Sequence, residues 1–410
     1  MVELLAPAGS FESLTAAIQA GADAIYFGVG NLNMRSRAAN FTEKDLAKVV
    51  QICKKSTVNC YLTLNTVVYD TELEKIHSLV NLAKKAGVSA VIASDIAVIK
   101  ACKKIHMPIH ISTQANVSNI EAVKFYSQYA DVIVLARELT LEQITDICTQ
   151  IKKQRIYGPS GKLVTIEIFV HGALCVSISG KCYMSLALYN SSANRGACYQ
   201  PCRRTYTVKD TETDAELSID NNYIMSPKDL CTIAFLDKIL ESGVSVLKIE
   251  GRGRAPEYVA TVVRAYKEAI QTIEHKTFTQ TKVKQWLAQL QTVYNRGFWQ
   301  GGYYLGKKVE EWSGCEGSQA IMEKAYCGIL ENYFSKKQVA CIHVDAEQIC
   351  LKNTLLIIGP TTGVVTIIVD KIILDEKEID CAVKGQLVTI PVSQKVRKND
   401  KVYIFRKKST

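Results

Sequence analysis

A short theme recurs along this chain: a small or polar turn, then a run of apolar residues. It occurs at Ala20–Phe27, Ala86–Ile92, Tyr129–Leu135 and Ser242–Ile249. Each follows a stretch with helical apolar spacing, such as Phe11–Gln19, Leu73–Lys85 or Leu230–Glu241. Further strands fit Leu4–Ala6, Asn59–Leu64, Ile109–Ser112 and Thr165–Phe169, which brings the number of strands to eight. Continuous apolar strands alternating with helices imply a parallel sheet covered on both faces. Eight such units predict an α/β fold of the closed (β/α)8, TIM-like barrel kind. An open doubly wound sheet is the alternative, but no Gly-x-Gly-x-x-Gly opens a helix after a strand.

Two more helices fit Ala255–Ile273 and Thr281–Tyr294, followed by a Gly-rich crossing from Tyr294 to Gly306. Beyond about Gly317 the texture changes to short alternating runs at Val339–Val344, Thr354–Ile358, Val364–Leu374, Gln386–Ile390 and Lys401–Phe405. That pattern predicts a small C-terminal β-barrel. The expected division is a barrel domain over 1–316, with a cysteine-rich insertion at about 172–245 between the seventh and eighth strands, and a second domain over 317–410. The basic clusters Lys395-Val-Arg-Lys and Arg406-Lys-Lys are read either as solvated loop charge or as an RNA contact.

The active site of such a barrel lies at the C-terminal ends of its strands. That rule selects Arg35, Arg37, Asn65, Gln114, Arg137, Glu167, His171, Lys248 and Glu250. The arginines suit a carboxylate or phosphate held through paired hydrogen bonds. Glu167 and Glu250 are candidate proton shuttles, or ion-pair partners of Lys248, Arg252 or Arg137. His171 stands four residues before a cysteine and is a candidate donor to a metal-bound sulfur, a substrate contact or a satisfied loop histidine.

The insertion opens with that cysteine. Cys175, Cys182, Cys198, Cys202 and Cys231 fall in or near a Gly-rich loop that leaves the seventh strand. There is no basic, apolar leader at the N-terminus and no apolar run long enough to span a bilayer, so the expected compartment is the cytoplasm, with no membrane partner. There the 14 cysteines are not expected to form a disulfide framework; the clustered ones suit a metal and the remainder, Cys350 and Cys381 among them, suit burial. The cluster is open to three readings: a 4Fe-4S cluster, a structural zinc or plain burial. Long, uneven spacing without a Cys-x-x-Cys pair favours iron–sulfur. Five cysteines compete for four positions; Cys175, Cys182, Cys198 and Cys231 are the preferred set, with Cys202 not excluded. The net charge of +10 favours an anionic partner such as RNA. Neither His-Glu-x-x-His nor Gly-x-Ser-x-Gly is present to support a peptidase.

Glu167-x-Phe169-x-x-Gly172-Ala-Leu-Cys175 followed by Ser179-Gly-x-Cys182 resembles the signature of the collagenase-like peptidases, family U32. The likeness extends to Leu5-Ala-Pro-Ala-Gly9, Gly21-Ala-Asp-Ala-Ile-Tyr26, Ser226-Pro-Lys-Asp-Leu230, Lys248-Ile-Glu-Gly-Arg252 and Asn295-Arg-Gly-Phe298, with Ile178 standing where an aromatic residue is usual. Despite the family's name, the resemblance implies an oxygen-independent hydroxylase carrying a 4Fe-4S cluster on Cys175, Cys182, Cys198 and Cys231. A barrel followed by a short β domain is most similar to the branch that forms 5-hydroxyuridine at the wobble position of tRNA with prephenate as hydroxyl donor. The resemblance leaves open a peptidase, a hydroxylase of another RNA, a non-enzymatic RNA-binding scaffold, and whether a paralogue or a second copy joins the chain.

Overall fold

Eight strands hydrogen-bond in a ring: β1 (Glu3–Ala8), β2 (Ala24–Gly28), β3 (Asn59–Leu64), β4 (Ala90–Ala93), β5 (Ile109–Ile111), β6 (Val132–Val134), β7 (Thr165–Gly172) and β8 (Val246–Ile249). Every neighbouring pair is parallel, and β8 closes the ring by pairing with both β7 and β1, where Leu4 faces Leu247. This computed structural model describes residues 2–213, 216–217, 223–299, 301, 304–306 and 311–408. The TIM-like barrel expected from the repeating turn–strand theme is thus the fold of the chain.

Local chemistry sets the helix boundaries. Helix α1 (Phe11–Gln19) starts where the Ser10 hydroxyl accepts the Ser13 amide, a side chain satisfying one of the orphan donors of a first turn. Asp95 does the same for Ala97. At Leu141–Gln154 a reciprocal Thr140–Gln143 box serves both residues. Each helix buries an apolar stripe outside the ring; the ring itself encloses a smaller cluster that includes Leu5, Tyr26, Tyr61, Ile92 and Val246.

The connection from β7 to β8 departs from the expected helix at Leu230–Glu241. Its first part, Asp229–Cys231, is a strand, and only Leu236–Glu241 is α-helical. The physical reason is that β7 runs on to Gly172, beyond the expected end at Phe169, and offers unpaired backbone groups. Leu230 pairs with Gly172 and Cys231 with His171, antiparallel, while Asp229 and Leu230 pair with Phe298 and Trp299 on the other side. Of the Gly-rich crossing from 294 to 306, residues 300, 302 and 303 lie outside the described residues.

The C-terminal residues form an eight-stranded antiparallel sheet with its own core, including Leu330, Ile342, Leu355, Val388 and Val402. Its longest member, Met322–Phe334, was not anticipated from the sequence; it pairs on one side with Val339–Val344 and on the other with Lys401–Lys407. Its apolar alternation is interrupted by Glu323, Lys324, Glu331 and Asn332. Cys350 and Cys381 face each other across a separate two-stranded ladder and form a disulfide, contrary to the expected buried free thiols. The sheet docks on α1, where Thr15 donates to the Pro360 carbonyl at 2.7 Å and Gln19 to that of Thr362 at 3.1 Å. Among the described residues, no helix is long and apolar enough to cross a membrane.

Candidate functional site

The C-terminal ends of the strands surround a polar cleft. Tyr26, Thr63, Asn65, Ser112, Gln114, Phe169, Lys248, Glu250 and Arg252 line it, joined by Arg35 and Arg137 from the loops. Lys248 lies on β8, Glu250 directly follows that strand, and Arg252 stands in the turn beyond, so the three reach the cleft from one short stretch of chain. A register shift between Lys248 and Ile249 relative to β7 marks a bulge at this rim, a common device for re-aiming side chains beside a site.

Charge is arranged in two layers. In the upper layer Glu250 accepts from Arg35 Nε at 3.1 Å and Nη2 at 2.8 Å. Burial alone would raise the Glu250 carboxyl, but Arg35, Arg254 and Arg137 bring it down to about 2. Glu250 is therefore held as an anion that organises the arginines of the rim. Arg252, brought down to about 10 by burial, donates to Thr63 Oγ1 at 2.6 Å. Arg137 lies 4.2 Å from the Phe169 ring centroid, and its buried Nε has no hydrogen-bond partner.

A polar string continues around the rim. The Met34 amide donates to Asn65 Oδ1 at 3.2 Å, Asn65 Nδ2 to Ser112 Oγ at 3.2 Å, and Ser112 Oγ to Gln114 Oε1 at 2.8 Å. It holds Asn65 and Gln114 in place.

In the lower layer Lys248 Nζ meets Glu167 Oε1 at 2.6 Å inside the barrel. Burial lowers Lys248, and Glu167 opposes that shift. Glu167 stands near the start of β7 rather than at its end, so it is fully buried beneath the cleft. Its second oxygen lies 3.9 Å from His110 Nδ1, and neither atom has a hydrogen-bond partner. Burial brings His110 down to about 3, so it is neutral.

The cysteine loop forms the adjoining wall. Cys175, Cys182, Cys198 and Cys202 line one pocket, open at its mouth, together with Arg35, Gln114, Arg137 and Arg203. Gly172 begins the loop at φ +107°, and a Cβ there would stand 2.5 Å from the Glu250 carbonyl oxygen, so glycine is what allows β7 to pass so close to the rim. The Cys182 amide donates to Asn194 Oδ1 at 3.0 Å, and Arg203 Nη2 donates to the Leu174 carbonyl at 2.6 Å. The Gln200 amide donates to Cys198 Sγ at 3.3 Å, the kind of contact that supports a ligating sulfur.

Cys231 is elsewhere. Its thiol is buried, bonds with the Tyr266 side chain, and is pushed up to about 12 by burial. His171 lies on the same hidden side, its ring packed against Tyr258, Tyr266 and Phe298, and burial brings it down to about 3. The structure thus brings Arg35, Asn65, Gln114, Arg137, Lys248 and Glu250 to the cleft, and three of the four preferred cysteines to its wall. Arg37 stands outside, stacked on Tyr199. Glu167, His171 and Cys231 are set back from both.

Four thiols around one pocket are a donor set suited to a 4Fe-4S cluster. Among the described residues no three Cys, His, Asp or Glu side chains stand at the spacing of a single metal ion. Sequence spacing alone did not separate Cys202 from Cys231, and it offered Arg252 only as an ion-pair partner of the glutamates, whereas Arg252 itself lines the cleft.

The chain is similar to several known proteins. A protein of Porphyromonas gingivalis named collagenase is 50% identical over 407 residues, 99% of this chain and 98% of its own length. The tRNA hydroxylation protein P1 of Bacillus subtilis is 34% identical over 301 residues, 72% of this chain and 69% of its own. The 23S rRNA 5-hydroxycytidine synthase of Escherichia coli is 36% identical over 276 residues, 66% of this chain but 40% of its own. Residues 9–314 match the profile of peptidase family U32. With the match covering the barrel, the cleft and the cysteine loop alike, the chain belongs to peptidase family U32.

Proposed function

We propose that this chain is an oxygen-independent tRNA hydroxylase that acts in the cytoplasm and forms 5-hydroxyuridine at the anticodon wobble position, with a 4Fe-4S cluster and prephenate as hydroxyl donor. The observation that carries this reading is the shared wall: Arg35, Gln114 and Arg137 line both the polar cleft and the four-thiol pocket. A small anionic substrate in the cleft is therefore next to the pocket that gathers four thiols. The relatives named as tRNA and rRNA hydroxylating proteins support RNA as the substrate class.

Cys175, Cys182, Cys198 and Cys202 are the residues that would hold the cluster, which when bound would supply redox capacity or a Lewis-acidic iron. The chain's own contribution is binding and orientation. Arg137 and Arg252 line the cleft and are placed to take the carboxylates of a dicarboxylate donor. Asn65, Ser112 and Gln114 offer amide and hydroxyl groups suited to the edge of a uracil ring. Anticodon bases are already unpaired, which lowers the cost of presenting one to the cleft.

A collagenase reading is favoured by one observation, the full-length relative of that name at 50% identity. Against it, His110 and His171 are buried and held neutral away from the cleft rather than paired with a surface nucleophile. One experiment separates the readings. Anaerobically purified protein is assayed for iron and acid-labile sulfide, and tRNA nucleosides are analysed from cells lacking the gene and carrying either wild type or Cys175→Ala. Bound iron and sulfide, with 5-hydroxyuridine restored only by wild type, is the expected result. Metal-free protein that cleaves gelatin, with unchanged nucleosides, would overturn the hydroxylase.

A further inference from the structure

We propose that an unpaired RNA segment docks on a ladder of tyrosines and arginines along the outer face of the cysteine loop, with a phosphate held in the arginine-lined cleft beside it. The proposal rests on the RNA reading above and adds where the nucleic acid is gripped.

The ladder has four rungs. The Arg37 guanidinium lies 3.4 Å from the centroid of Tyr199, and the Tyr199 and Tyr189 rings are 5.2 Å apart at 37°. Arg204 then lies 5.0 Å from the centroid of Tyr189. Tyr199 is 44% and Tyr189 36% exposed, so neither ring is spent on the core. Part-exposed aromatic rings capped at each end by a guanidinium group offer a surface to which bases add, by stacking on an outer arginine plane or by displacing the arginine from its tyrosine. Every base has a flat face, and arginine has its own attraction for π-systems. Duplex RNA hides those faces, so the ladder selects for unpaired nucleotides.

The ladder also leads inward. A cleft between it and the barrel mouth is lined by Arg35, Arg37, Arg254, Arg296 and Tyr199, with Glu250 as its carboxylate. Glu250 is already engaged by Arg35, which leaves the cleft with a surplus of positive charge suited to a phosphate. Arg35, Cys198 and Gln200 belong both to this cleft and to the four-thiol pocket. A strand stacked on the ladder thus has a continuous route by which its next base reaches the mouth. A proline-rich peptide can also lie on aromatic grooves, but it makes no use of four arginines.

The test is fluorescence anisotropy of the full chain, purified anaerobically, with two labelled probes: a hairpin RNA carrying an anticodon-sized unpaired loop, and a blunt RNA duplex of equal length. Tyr199→Ala and Tyr189→Ala are each expected to weaken hairpin binding about fivefold or more, to leave duplex binding nearly unchanged, and to melt like wild type; Tyr199→Phe is expected to retain the affinity. Tyr189 is not adjacent to a cysteine, so its variant guards against damage to the thiol pocket. If wild type binds the hairpin and both alanine variants bind it equally well, or lose hairpin and duplex alike, the ladder is overturned while the RNA reading stands. If wild type binds neither RNA but holds a Gly-Pro-rich peptide through the same tyrosines, both readings fall.

Discussion

Arg35 directs two of its donors, Nε and Nη2, at the same carboxylate oxygen of Glu250. This pairing joins the loop after β2 to the end of β8 and keeps Glu250 ionised at the rim of the cleft. Burial works against that charge, yet the neighbouring arginines hold the carboxyl at about 2, down from its ordinary 4.5. A depressed carboxyl contributes stability that is present above its unfolded pKa and lost as pH falls through the folded value. Glu250→Gln should therefore cost about 2–3 kcal/mol at neutral pH, and the difference from wild type should shrink between pH 4.5 and 2. Urea titrations at several pH values check this; a pH-independent difference would contradict it.

The cysteines make a sharper comparison. Cys175→Ala and Cys202→Ala are expected to lose iron and sulfide after anaerobic purification. Cys231→Ala is expected to keep both and to lose about 1 kcal/mol of stability, as for a small buried side chain. Iron retained in Cys202→Ala and lost in Cys231→Ala would return the fourth position to Cys231, as the family resemblance implies.

Below the cleft, Lys248 and Glu167 are nearly inaccessible and in contact at 2.6 Å. Removing one partner leaves a buried uncompensated charge, at a cost of about 3–5 kcal/mol. Glu167→Leu and Lys248→Met should each destabilise to that degree, and the two replacements together should cost clearly less than their sum. A double-mutant cycle from urea midpoints reads the coupling directly; additive losses would show that the two residues act independently.

In the C-terminal sheet, Cys350 and Cys381 close a loop with a sequence separation of 31. A crosslink over such a span stabilises by about 2–4 kcal/mol, mainly by restricting the unfolded chain. Melting with and without a thiol reductant should show a fall for wild type and none for Cys381→Ser. Iron content should be the same in both proteins.

Much of the barrel was legible because its strands are apolar and regularly spaced, with turn residues such as Gly21 and Gly87 between strand and helix. The cleft was legible to the extent that one rule, the location of active sites at strand ends, selects positions. What the rule cannot provide is depth. Glu167 and Glu250 are equal candidates on paper, yet one is sealed beneath Phe169 and Lys248 while the other faces the arginines. The depth of Cys231 was hidden for a related reason: a strand pairing with β7 turns its thiol toward Tyr266, and such non-local pairing leaves no periodic mark. Met322–Phe334 escaped notice because half its residues face solvent and interrupt the alternation.

The pairing of Leu230 with Gly172 means that the long excursion between them leaves and re-enters the barrel at one place. Changing the length of a loop whose ends are already joined costs only a logarithmic amount of entropy, and β7 and β8 keep their register throughout. Evolution could thus retarget this architecture by rewriting one contiguous stretch of gene. For a protein engineer the same stretch is a cassette, to be cut at the glycine and the leucine and exchanged whole.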